Sequence, residues 1–498
     1  MNVLLGRLAD ALADEKRADR TAGILIAGYV LVWWLYAVIA KSSQDIHFDM
    51  GEVVSWSLIP AFGYAKHPPF PAWVAFAWFS IFPYTDWAYY LLATASIGVA
   101  LWFVWLIAAR YVDGHKRVLA LTFLTFSPGF NLQPLKFNSN ALLIPVWAVA
   151  SYIFLRAFTQ RSLLWGALAG AGAAIAMLTK YWSAFQILGL IVASLADHRR
   201  WDYLRSPAPW ASIIVGALIL APNIVSLLDY DFQPFRYATR SHVVPSLRAL
   251  LGSFSDYFGG VLYLAGGFAA LAIACRPGPS LRDALMPSEP DRRLMMLATW
   301  TMLPAPLLLA LAMRTRLSML WTFPMWAMLP AAVLSSRAIA VTRSAAAGSL
   351  FAAIAVPVSA VLLSPVIAYV IHVQGLSNSA THHRLIAAAV DEAWKNRTAA
   401  PLKLFGSNTN IANGAGFYLP SQPLRIDILG RSDTPWADDA RIGRDGMAIV
   451  CPETQPGCME QLNALAAALP HHVVTLARSS WGVSGDPQRY IIVILPPR

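Results

Sequence analysis

The sequence predicts a polytopic α-helical membrane protein with a small C-terminal α/β domain. The 498-residue chain is 57% hydrophobic and only 13% charged, which lies outside the usual balance of soluble domains. Apolar stretches long enough to cross a bilayer recur between residues 21 and 372. From about residue 375, polar and turn-forming residues return between short β-type runs, as in a soluble domain.

The apolar segments predict about 11 transmembrane helices, judged by segment length and charged flanks. They cover residues 21–40, 87–110, 118–130, 141–158, 163–179, 182–196, 210–228, 257–275, 294–312, 317–336 and 346–372. No small-residue cleavage site follows the first segment, so we interpret it as a retained helix and not a signal peptide. The apolar segment 70–82 is too short to span and is rich in Trp and Phe, which predicts an interfacial helix.

Basic residues predict the orientation of these helices. With a cytoplasmic N-terminus, the inside segments carry roughly twice as many Lys and Arg residues as the outside segments. We therefore expect a bacterial inner-membrane protein with a transmembrane domain over 1–374, a periplasmic first loop over 41–86 and a periplasmic domain over 375–498. The net charge of +11 lies in short clusters between apolar runs, which argues against nucleic-acid binding.

The C-terminal region alternates predicted strands with predicted helices, which indicates a small α/β domain. The predicted strands are 402–406, 424–429, 447–451, 472–477 and 490–495, and the predicted helices are near 381–397 and 457–468. Cys451 and Cys458 could form a disulfide in an oxidising compartment, whereas a zinc site would need more ligands nearby. The Gly-rich stretch 408–416 matches no phosphate-loop or dinucleotide fingerprint.

The first predicted loop contains three acids in the stretch DIHFDMGEVV, residues 45–54. Asp49 and Glu52 are three residues apart, so on a helix they would project from neighbouring positions. Such a pair can remove a proton from an attacking hydroxyl and orient the acceptor or a cation. The alternative is a solvated helical face, and the spacing does not decide between them. Asp45 ranks third.

Basic residues in the other predicted outside loops suggest an anionic reactant, because Lys and Arg make charge-assisted contacts to phosphate. Each could instead be an isolated side chain that reaches water at a helix end. A carboxylate base together with a phosphate-binding set indicates group transfer from a lipid-linked phosphate donor. The candidate donor-binding residues are Lys66, His67, Lys180, Arg236, Arg240, His242, Arg314 and Arg316.

Four stretches of the chain occur in the order of a known family. They are FDMGEVVSWS (48–57), YAKHPPFPAWVAFAWFSIF (64–82), 127–158 and 166–190, with a looser match at FQPFRYATRSH (232–242). In these stretches the sequence resembles the membrane-embedded C-type (GT-C) glycosyltransferases that use lipid-phosphate sugars. The resemblance is to the bacterial branch related to protein O-mannosyltransferases and to lipid A aminoarabinose transferase.

The resemblance implies roles for individual residues. Asp49 takes the place of the family's first-loop acid, Lys66 and His67 fall before its Pro-Pro element, and Lys180 matches its Thr-Lys lysine. Where the family often has an acid, this chain has Asn140, whose amide could coordinate a metal ion weakly or hydrogen-bond a sugar hydroxyl. Asn138 and Asn140 are candidate sugar or acceptor ligands. A divalent cation, Mg²⁺ or Mn²⁺, is a candidate cofactor.

The predicted function is transfer of a sugar from a polyprenyl-phosphate donor to an envelope acceptor, which would be lipid A, core oligosaccharide or another glycan. Transfer would be an inverting single displacement at the periplasmic face. A multi-span transporter or flippase of lipids or lipid-linked sugars is the alternative, although no internal repeat typical of such folds is visible. A non-catalytic assembly protein acting through its C-terminal domain is a third reading.

Overall fold

A computed structural model describes residues 2–262, 265–277, 283, 286–376, 381–430 and 437–498. The chain divides into two compact units. The first consists of Met1–Trp33, Ala61–Pro71 and Leu91–Ser359, and the second of Trp34–Pro60, Ala72–Tyr90 and Ala360–Arg498. The second unit therefore combines the C-terminal region with two segments of the predicted first loop.

Up to residue 373, the described part of the chain is mostly helical. The α-helices are Asn2–Ala13, Ala18–Ala40, Phe48–Ser57, Phe70–Phe79, Asp86–Ala108, Lys116–Thr122, Ser139–Gln160, Leu163–Thr179, Ala184–Ala196, Arg200–Leu204, Pro207–Asp229, Gln233–His242, Leu247–Leu262, Ala265–Ala274, Pro290–Thr301, Pro304–Met313, Leu329–Leu334 and Arg343–Val373. Short 3₁₀ helices lie at Phe123–Phe126, Pro128–Phe130, Gln133–Leu135, Tyr181–Ser183 and Met319–Ala327, and two short strands pair at Cys275–Pro277 and Ile339–Val341.

Within the described residues, 6 helical segments are long and apolar enough to cross a membrane. They are Ala18–Ala40, Asp86–Ala108, Ser139–Gln160, Pro207–Asp229, Pro290–Met313 and Arg343–Val373. The predicted number of 11 is therefore not confirmed. The predicted span 118–130 consists of a seven-residue α-helix followed by 3₁₀ turns, and the apolar helix Leu163–Thr179 has only 17 residues.

Small residues bring two helices of the first unit into close contact. A Cβ at Gly166 would lie 2.3 Å from the carbonyl oxygen of Ala208, and one at Gly170 would lie 2.2 Å from that of Ser212. The Ser212 hydroxyl donates to the carbonyl oxygen of Gly166 at 2.7 Å. This is the small-xxx-small packing of membrane helices, and it fixes Leu163–Thr179, which ends at the candidate residue Lys180, against Pro207–Asp229.

The C-terminal part of the second unit contains a five-stranded mixed sheet, in agreement with the predicted α/β domain. The strand order is Leu424–Asp427, Leu404–Ser407, Met447–Pro452, Gln488–Leu495 and His471–Leu476. The first three strands are parallel, and Gln488–Leu495 runs antiparallel to both of its neighbours. The helices are His383–Arg397, Thr409–Tyr418, Asp439–Asp445 and Pro456–Ala466, and a short hairpin pairs Ser479–Ser480 with Val483–Ser484.

Cys451 and Cys458 form a disulfide in this domain, with their Cα atoms 5.6 Å apart. Cys451 is on the central strand Met447–Pro452, and Cys458 is on the helix that follows it. Both side chains are fully buried in one apolar cluster. The pairing that the sequence left open is therefore present in the structure.

Helix Phe48–Ser57, which we name the acid helix because it carries Asp49 and Glu52, packs in the second unit against helix Thr409–Tyr418. The absence of a side chain at Gly51 permits this contact, since a Cβ there would lie 2.8 Å from the carbonyl oxygen of Asn413. An aromatic cluster adds apolar contact between Phe79, Tyr89 and Phe417, whose ring centroids lie 5.1–5.9 Å apart.

Candidate active site

The acid helix begins at a histidine cap. His47 Nδ1 accepts a hydrogen bond from the backbone N–H of Asp49 at 3.2 Å, so in this geometry the neutral ring carries its proton on Nε2. Asp49 is in the first turn, where the helix dipole favours a carboxylate. Its side chain is 30% exposed, whereas Glu52 is buried. Asp49 is therefore the more accessible of the two predicted catalytic acids.

Two buried side chains hold the backbone of the acid helix. The Tyr89 hydroxyl donates to the carbonyl oxygen of Met50 at 2.9 Å, and Arg425 Nη1 donates to that of Gly51 at 3.2 Å. Arg425 belongs to strand Leu424–Asp427. Burial lowers the pKa of its guanidinium to about 10.

Asp45, three residues before the acid helix, is the centre of a buried polar cluster. Its Oδ2 accepts from the Thr381 hydroxyl at 3.1 Å and from the backbone N–H of His383 at 2.8 Å, and it forms an ion pair with Arg478. Arg384 lies 3.8 Å from Asp45 Oδ1. A buried carboxylate is costly unless it is paired and hydrogen-bonded, and these contacts pair the carboxylate and hydrogen-bond its Oδ2. The third-ranked acid therefore has a structural role in this cluster.

His383 of this cluster is itself buried against Gly414. A Cβ at Gly414 would lie 2.1 Å from His383 Nδ1. Burial lowers the pKa of His383 to about 4, so the ring is neutral at physiological pH. The imidazole therefore contributes to packing while its backbone N–H binds Asp45.

In the first unit, Lys180 lies against Asn140. Lys180 Nζ donates to Asn140 Oδ1 at 2.6 Å. Lys180 is the residue that ends helix Leu163–Thr179, and Asn140 is in the first turn of Ser139–Gln160. The structure thus brings together two predicted site residues from different helices. A neutral amide at this point accepts the hydrogen bond without cancelling the charge of the ammonium group.

Lys66 and His67 lie in a turn of the first unit. The backbone N–H of Tyr64 donates to the carbonyl oxygen of His67 at 3.2 Å. Lys66 Nζ lies 5.4 Å from the centre of the Tyr237 ring, within the range of a cation–π interaction. Asn223 Nδ2 donates to the carbonyl oxygen of Phe62 at 2.6 Å and so holds the start of this turn.

The same Asn223 accepts a hydrogen bond from the hydroxyl of Tyr181 at 3.2 Å. Tyr181 follows Lys180 in the chain and stacks on Phe235, with their ring centroids 4.9 Å apart. Through Tyr181 and Asn223, the segment that carries Lys180 is connected to the turn that carries Lys66. The structure therefore places two of the predicted lysines in one polar and aromatic neighbourhood of the first unit.

Three of the predicted arginines, Arg236, Arg314 and Arg316, have exposed side chains. Arg236 pairs with Asp231, and Arg316 Nη2 donates to Asp256 at 2.9 Å. Arg314 ends helix Pro304–Met313 in the left-handed conformation, with φ 50°. Arg240 and His242 lie on helix Gln233–His242, but their side chains are outside the described part of the structure.

Asn138 is the N-cap of helix Ser139–Gln160. Its Oδ1 accepts from the backbone N–H of Ala141 at 2.9 Å, which gives this predicted sugar ligand a structural role as well. Among the described residues, no group of three or more His, Cys, Asp and Glu side chains lies close enough together to hold a metal ion. We therefore assign no metal centre.

Several of these polar residues were not predicted from the sequence. The most informative are Arg425, Tyr89, Arg478 and Asn223, whose partners lie far away in the chain. One signal was present for Arg425, since it is one of two charged residues, with Asp427, in the otherwise apolar stretch LRIDIL. In the structure its side chain is buried. A buried charge in a strand usually has a specific partner.

A membrane-embedded C-type glycosyltransferase is expected to have a multi-span helical fold, a first-loop helix with an accessible carboxylate and a lysine after the Leu-Thr element. The structure contains each of these features, at the six candidate spans, at Asp49 and at Lys180. Comparison with known proteins agrees with that class. Residues 66–225 match the family model described as dolichyl-phosphate-mannose-protein mannosyltransferase. The predicted resemblance to lipid-phosphate-sugar-dependent glycosyltransferases is thereby confirmed.

One curated protein is similar to this chain in sequence. The chain is 25% identical over 248 residues to the lipid A galacturonosyltransferase RgtD of Rhizobium johnstonii, a match covering 49% of this chain and 51% of that protein. The chain thus spans about half the length of that curated relative.

Two structures of ArnT from Cupriavidus metallidurans are similar over nearly the whole chain. The apo structure has a TM-score of 0.61, and the structure bound to undecaprenyl phosphate has a TM-score of 0.60. Each match has 14% identity and covers 95% of this chain and 97% of the other. The protein therefore has the ArnT fold.

Proposed function

We propose that the protein is an inner-membrane glycosyltransferase that transfers a sugar from a polyprenyl-phosphate donor to lipid A at the periplasmic face. The observation that carries the proposal is the placement of Asp49, a partly exposed carboxylate in the first turn of a helix whose backbone is held by buried side chains. A general base must be held within hydrogen-bond reach of the proton that it removes, and a fixed helix provides such a position.

The proposed reaction is a single displacement with inversion. Asp49 accepts the proton of the attacking hydroxyl, the hydroxyl oxygen bonds to the anomeric carbon, and the bond from that carbon to the lipid-phosphate oxygen breaks. Negative charge develops on the departing phosphate, so cations fixed near it stabilise the transition state. We assign that role first to Lys180 and Lys66, and the exposed arginines Arg236, Arg314 and Arg316 to the outer part of the phosphate-binding set.

The donor and acceptor are supported by the relatives and by the shape of the first unit. One ArnT structure contains undecaprenyl phosphate, and the curated relative is a lipid A transferase. An apolar cavity of about 330 Å³ in the first unit has Ile24, Val32, Leu101 and Pro357 among its lining residues. Such a cavity suits a lipid chain, because it offers apolar contact without polar groups that would need hydration.

The outer-side location of the C-terminal domain is supported by its disulfide. Disulfides persist in oxidising compartments such as the periplasm and are rare in the cytosol. The Cys451–Cys458 bond therefore agrees with the orientation that the distribution of basic residues predicts. On that orientation the acid helix, which packs on the same domain, also faces the periplasm.

Replacement of Asp49 tests the proposed function. A deletion strain would be complemented with the wild type, Asp49→Asn or Asp113→Asn, the last being a matched control at an exposed acid of the first unit. Mass spectrometry of envelope lipids should show one sugar mass restored by the wild type and by the control. We expect Asp49→Asn to reduce transfer by a factor of about 10²–10⁴, with normal protein level and an intact disulfide.

Normal transfer by Asp49→Asn would overturn the assignment of the base. Movement of a lipid-linked sugar across the membrane by the wild type, without any transferred sugar, would favour the flippase instead. A missing sugar mass on a glycan other than lipid A would keep the enzyme class and replace the acceptor.

A further inference from the structure

We infer that Arg425 of the C-terminal domain is a positioning residue for the candidate base Asp49, an inference that rests on the proposed function. Arg425 Nη1 donates to the carbonyl oxygen of Gly51 at 3.2 Å, two residues after Asp49 in the acid helix. The α/β domain then has a part in the transfer step itself, through the one helix that carries the predicted acids.

The local sequence is arranged to permit this contact. Arg425 Nη2 donates to Gln422 Oε1 at 3.1 Å, which leaves Nη1 directed at the acid helix. Gly416 provides the space, because a Cβ there would lie 2.5 Å from Arg425 Nε. Gly51 allows the acid helix to approach, because a Cβ there would contact the backbone of Asn413. Two glycines on facing helices therefore accommodate one hydrogen bond from a buried arginine.

Stability alone does not explain a buried guanidinium, because removing its charge from water costs free energy. Arg425 is 2% exposed, and burial lowers its pKa, so the charged form is disfavoured where it stands. Well-packed apolar side chains often give equal or greater stability than buried charges. The planar guanidinium of Arg425 donates in a fixed direction to the carbonyl oxygen of Gly51, so it can orient the acid helix.

Two further attachments restrain the acid helix from other sides. The hydroxyl of Tyr89 donates to the carbonyl oxygen of Met50. Asp45, just before the helix, is held in the cluster with Arg478 and the backbone of His383. With Arg425, these contacts fix the helix along its axis and about it. Catalytic groups must be held to within roughly 0.5 Å of their productive geometry, and the three attachments provide that restraint for Asp49.

The inference predicts an effect on turnover that is separate from substrate binding. A displaced base still permits the donor to bind to the cations of the first unit, so KM for the donor should remain within about twofold. Turnover should fall, because a misplacement of about 1 Å can cost about 10²-fold. A residue that served only to stabilise the domain would instead lower the amount of active enzyme.

The experiment uses the full-length protein in detergent. Arg425→Lys retains the charge but loses the planar, directed donor, and Arg489→Lys is the matched control at an exposed arginine of the same sheet. Initial rates would be measured with lipid A as acceptor and a polyprenyl-phosphate sugar as donor. The sugar of that donor would be the one identified by mass spectrometry of the deletion strain. Amide hydrogen exchange would be followed in residues 48–57 and in the sheet strands.

We expect Arg425→Lys to lower kcat by about 10–100-fold, to leave the donor KM within about twofold and to accelerate exchange in residues 48–57 while the strands stay protected. Arg489→Lys should match the wild type. Wild-type kcat together with unchanged exchange in Arg425→Lys would overturn the inference.

Tyr89→Phe provides a second variant if Arg425→Lys fails to fold. It removes one hydroxyl from a ring that remains packed, and the inference requires that it also lower kcat and accelerate exchange in the acid helix; wild-type behaviour would overturn the inference. Absence of transfer by the wild type and by Arg489→Lys would instead reject the proposed function. The two failures are therefore distinguishable.

Discussion

The acid helix in the second unit and the exposed arginines of the candidate phosphate-binding set in the first unit are held in opposite ways. Buried side chains bind the backbone of the acid helix, and Asp45 and His383 of the cluster that precedes it are buried. Arg236 and Arg316, in contrast, have more than half of their side chains exposed and pair with acids that are also exposed. A group that acts on one proton needs one position, whereas exposed arginines in the outer part of a phosphate-binding set can adjust their side chains.

The strongest test of this comparison is to break the cluster around Asp45. Asp45→Asn would remove the buried carboxylate that pairs with Arg478, whose side chain is only 11% exposed. Removing one partner of a buried pair typically destabilises a protein by about 3–5 kcal/mol. The opening free energy of residues 381–397 from native-state hydrogen exchange would measure the loss. A change below about 1 kcal/mol would show that the cluster behaves like a surface pair.

A second test uses pH. The pKa of His383 is lowered by burial from 6.5 to about 4, so on acidification the unfolded state takes up the proton first. The stability contributed by the neutral ring is complete above about pH 6.5 and is lost as the pH falls toward 4, amounting to about 3 kcal/mol. The thermal midpoint of the domain should therefore fall between about pH 7 and pH 5.

His383→Gln is the control for this pH dependence. It should flatten the profile, leaving the smaller contribution of neighbouring His382, whose pKa burial also lowers. An equal slope in wild type and variant would assign the effect to other groups.

A third test places an acid beside Lys180, one of the candidate donor-binding cations. Asn140→Asp would place a carboxylate beside Lys180 Nζ, where the amide oxygen now lies at 2.6 Å. The new carboxylate would compete with the donor phosphate for the ammonium group. A hydrogen bond to a charged group contributes about 1.5–3 kcal/mol, so donor KM should rise by about 10–100-fold. Enzyme kinetics with varied donor would show this.

Asn140→Ser is the control for that prediction, because it removes the amide without adding charge and should change donor KM far less. Improved donor binding by Asn140→Asp, with a new requirement for a divalent cation, would contradict the competition and indicate instead that the acid creates a metal ligand.

The smallest expected effect concerns the exposed pairs. Arg316→Gln would remove the contact to Asp256, in which both side chains are well exposed. Exposed ion pairs contribute about 0–1 kcal/mol, so thermal stability should change little. A loss comparable to that of Asp45→Asn would remove the contrast between the two regions.

The sequence predicted those parts of the molecule whose signals are local. Long apolar segments predicted Ala18–Ala40 and Ser139–Gln160, and alternating runs predicted the strands of the sheet near their observed bounds. The span 118–130 was wrong as a single membrane helix because composition does not report where a helix breaks into 3₁₀ turns. Helix Thr409–Tyr418 was missed because its glycines suggest a loop, whereas they permit contact with His383 and Arg425.

The residues of the candidate site also differ in whether a local sequence signal indicates them. Asp49 and Lys180 were proposed as site residues from their positions after predicted helices and from short motifs. Arg425, Arg478 and Tyr89 were not, because each contacts a residue distant in sequence, and no local pattern encodes such a partner. Asp45 shows the limit most clearly, since its sequence context suggests a weaker catalytic acid and its contacts show a buried structural one.

The distance along the chain between Asp45 and its partners has a consequence for biosynthesis. The backbone of His383 that binds Asp45 is 338 residues downstream, which is on the order of 20–70 s of translation. During that time the loop has emerged without the residues that complete it. A polypeptide terminated before residue 381 would retain the six candidate spans, and its first loop would still lack its partners. The contacts of Asp45 with Thr381, His383 and Arg478 therefore form only after the last segment of the chain has been made.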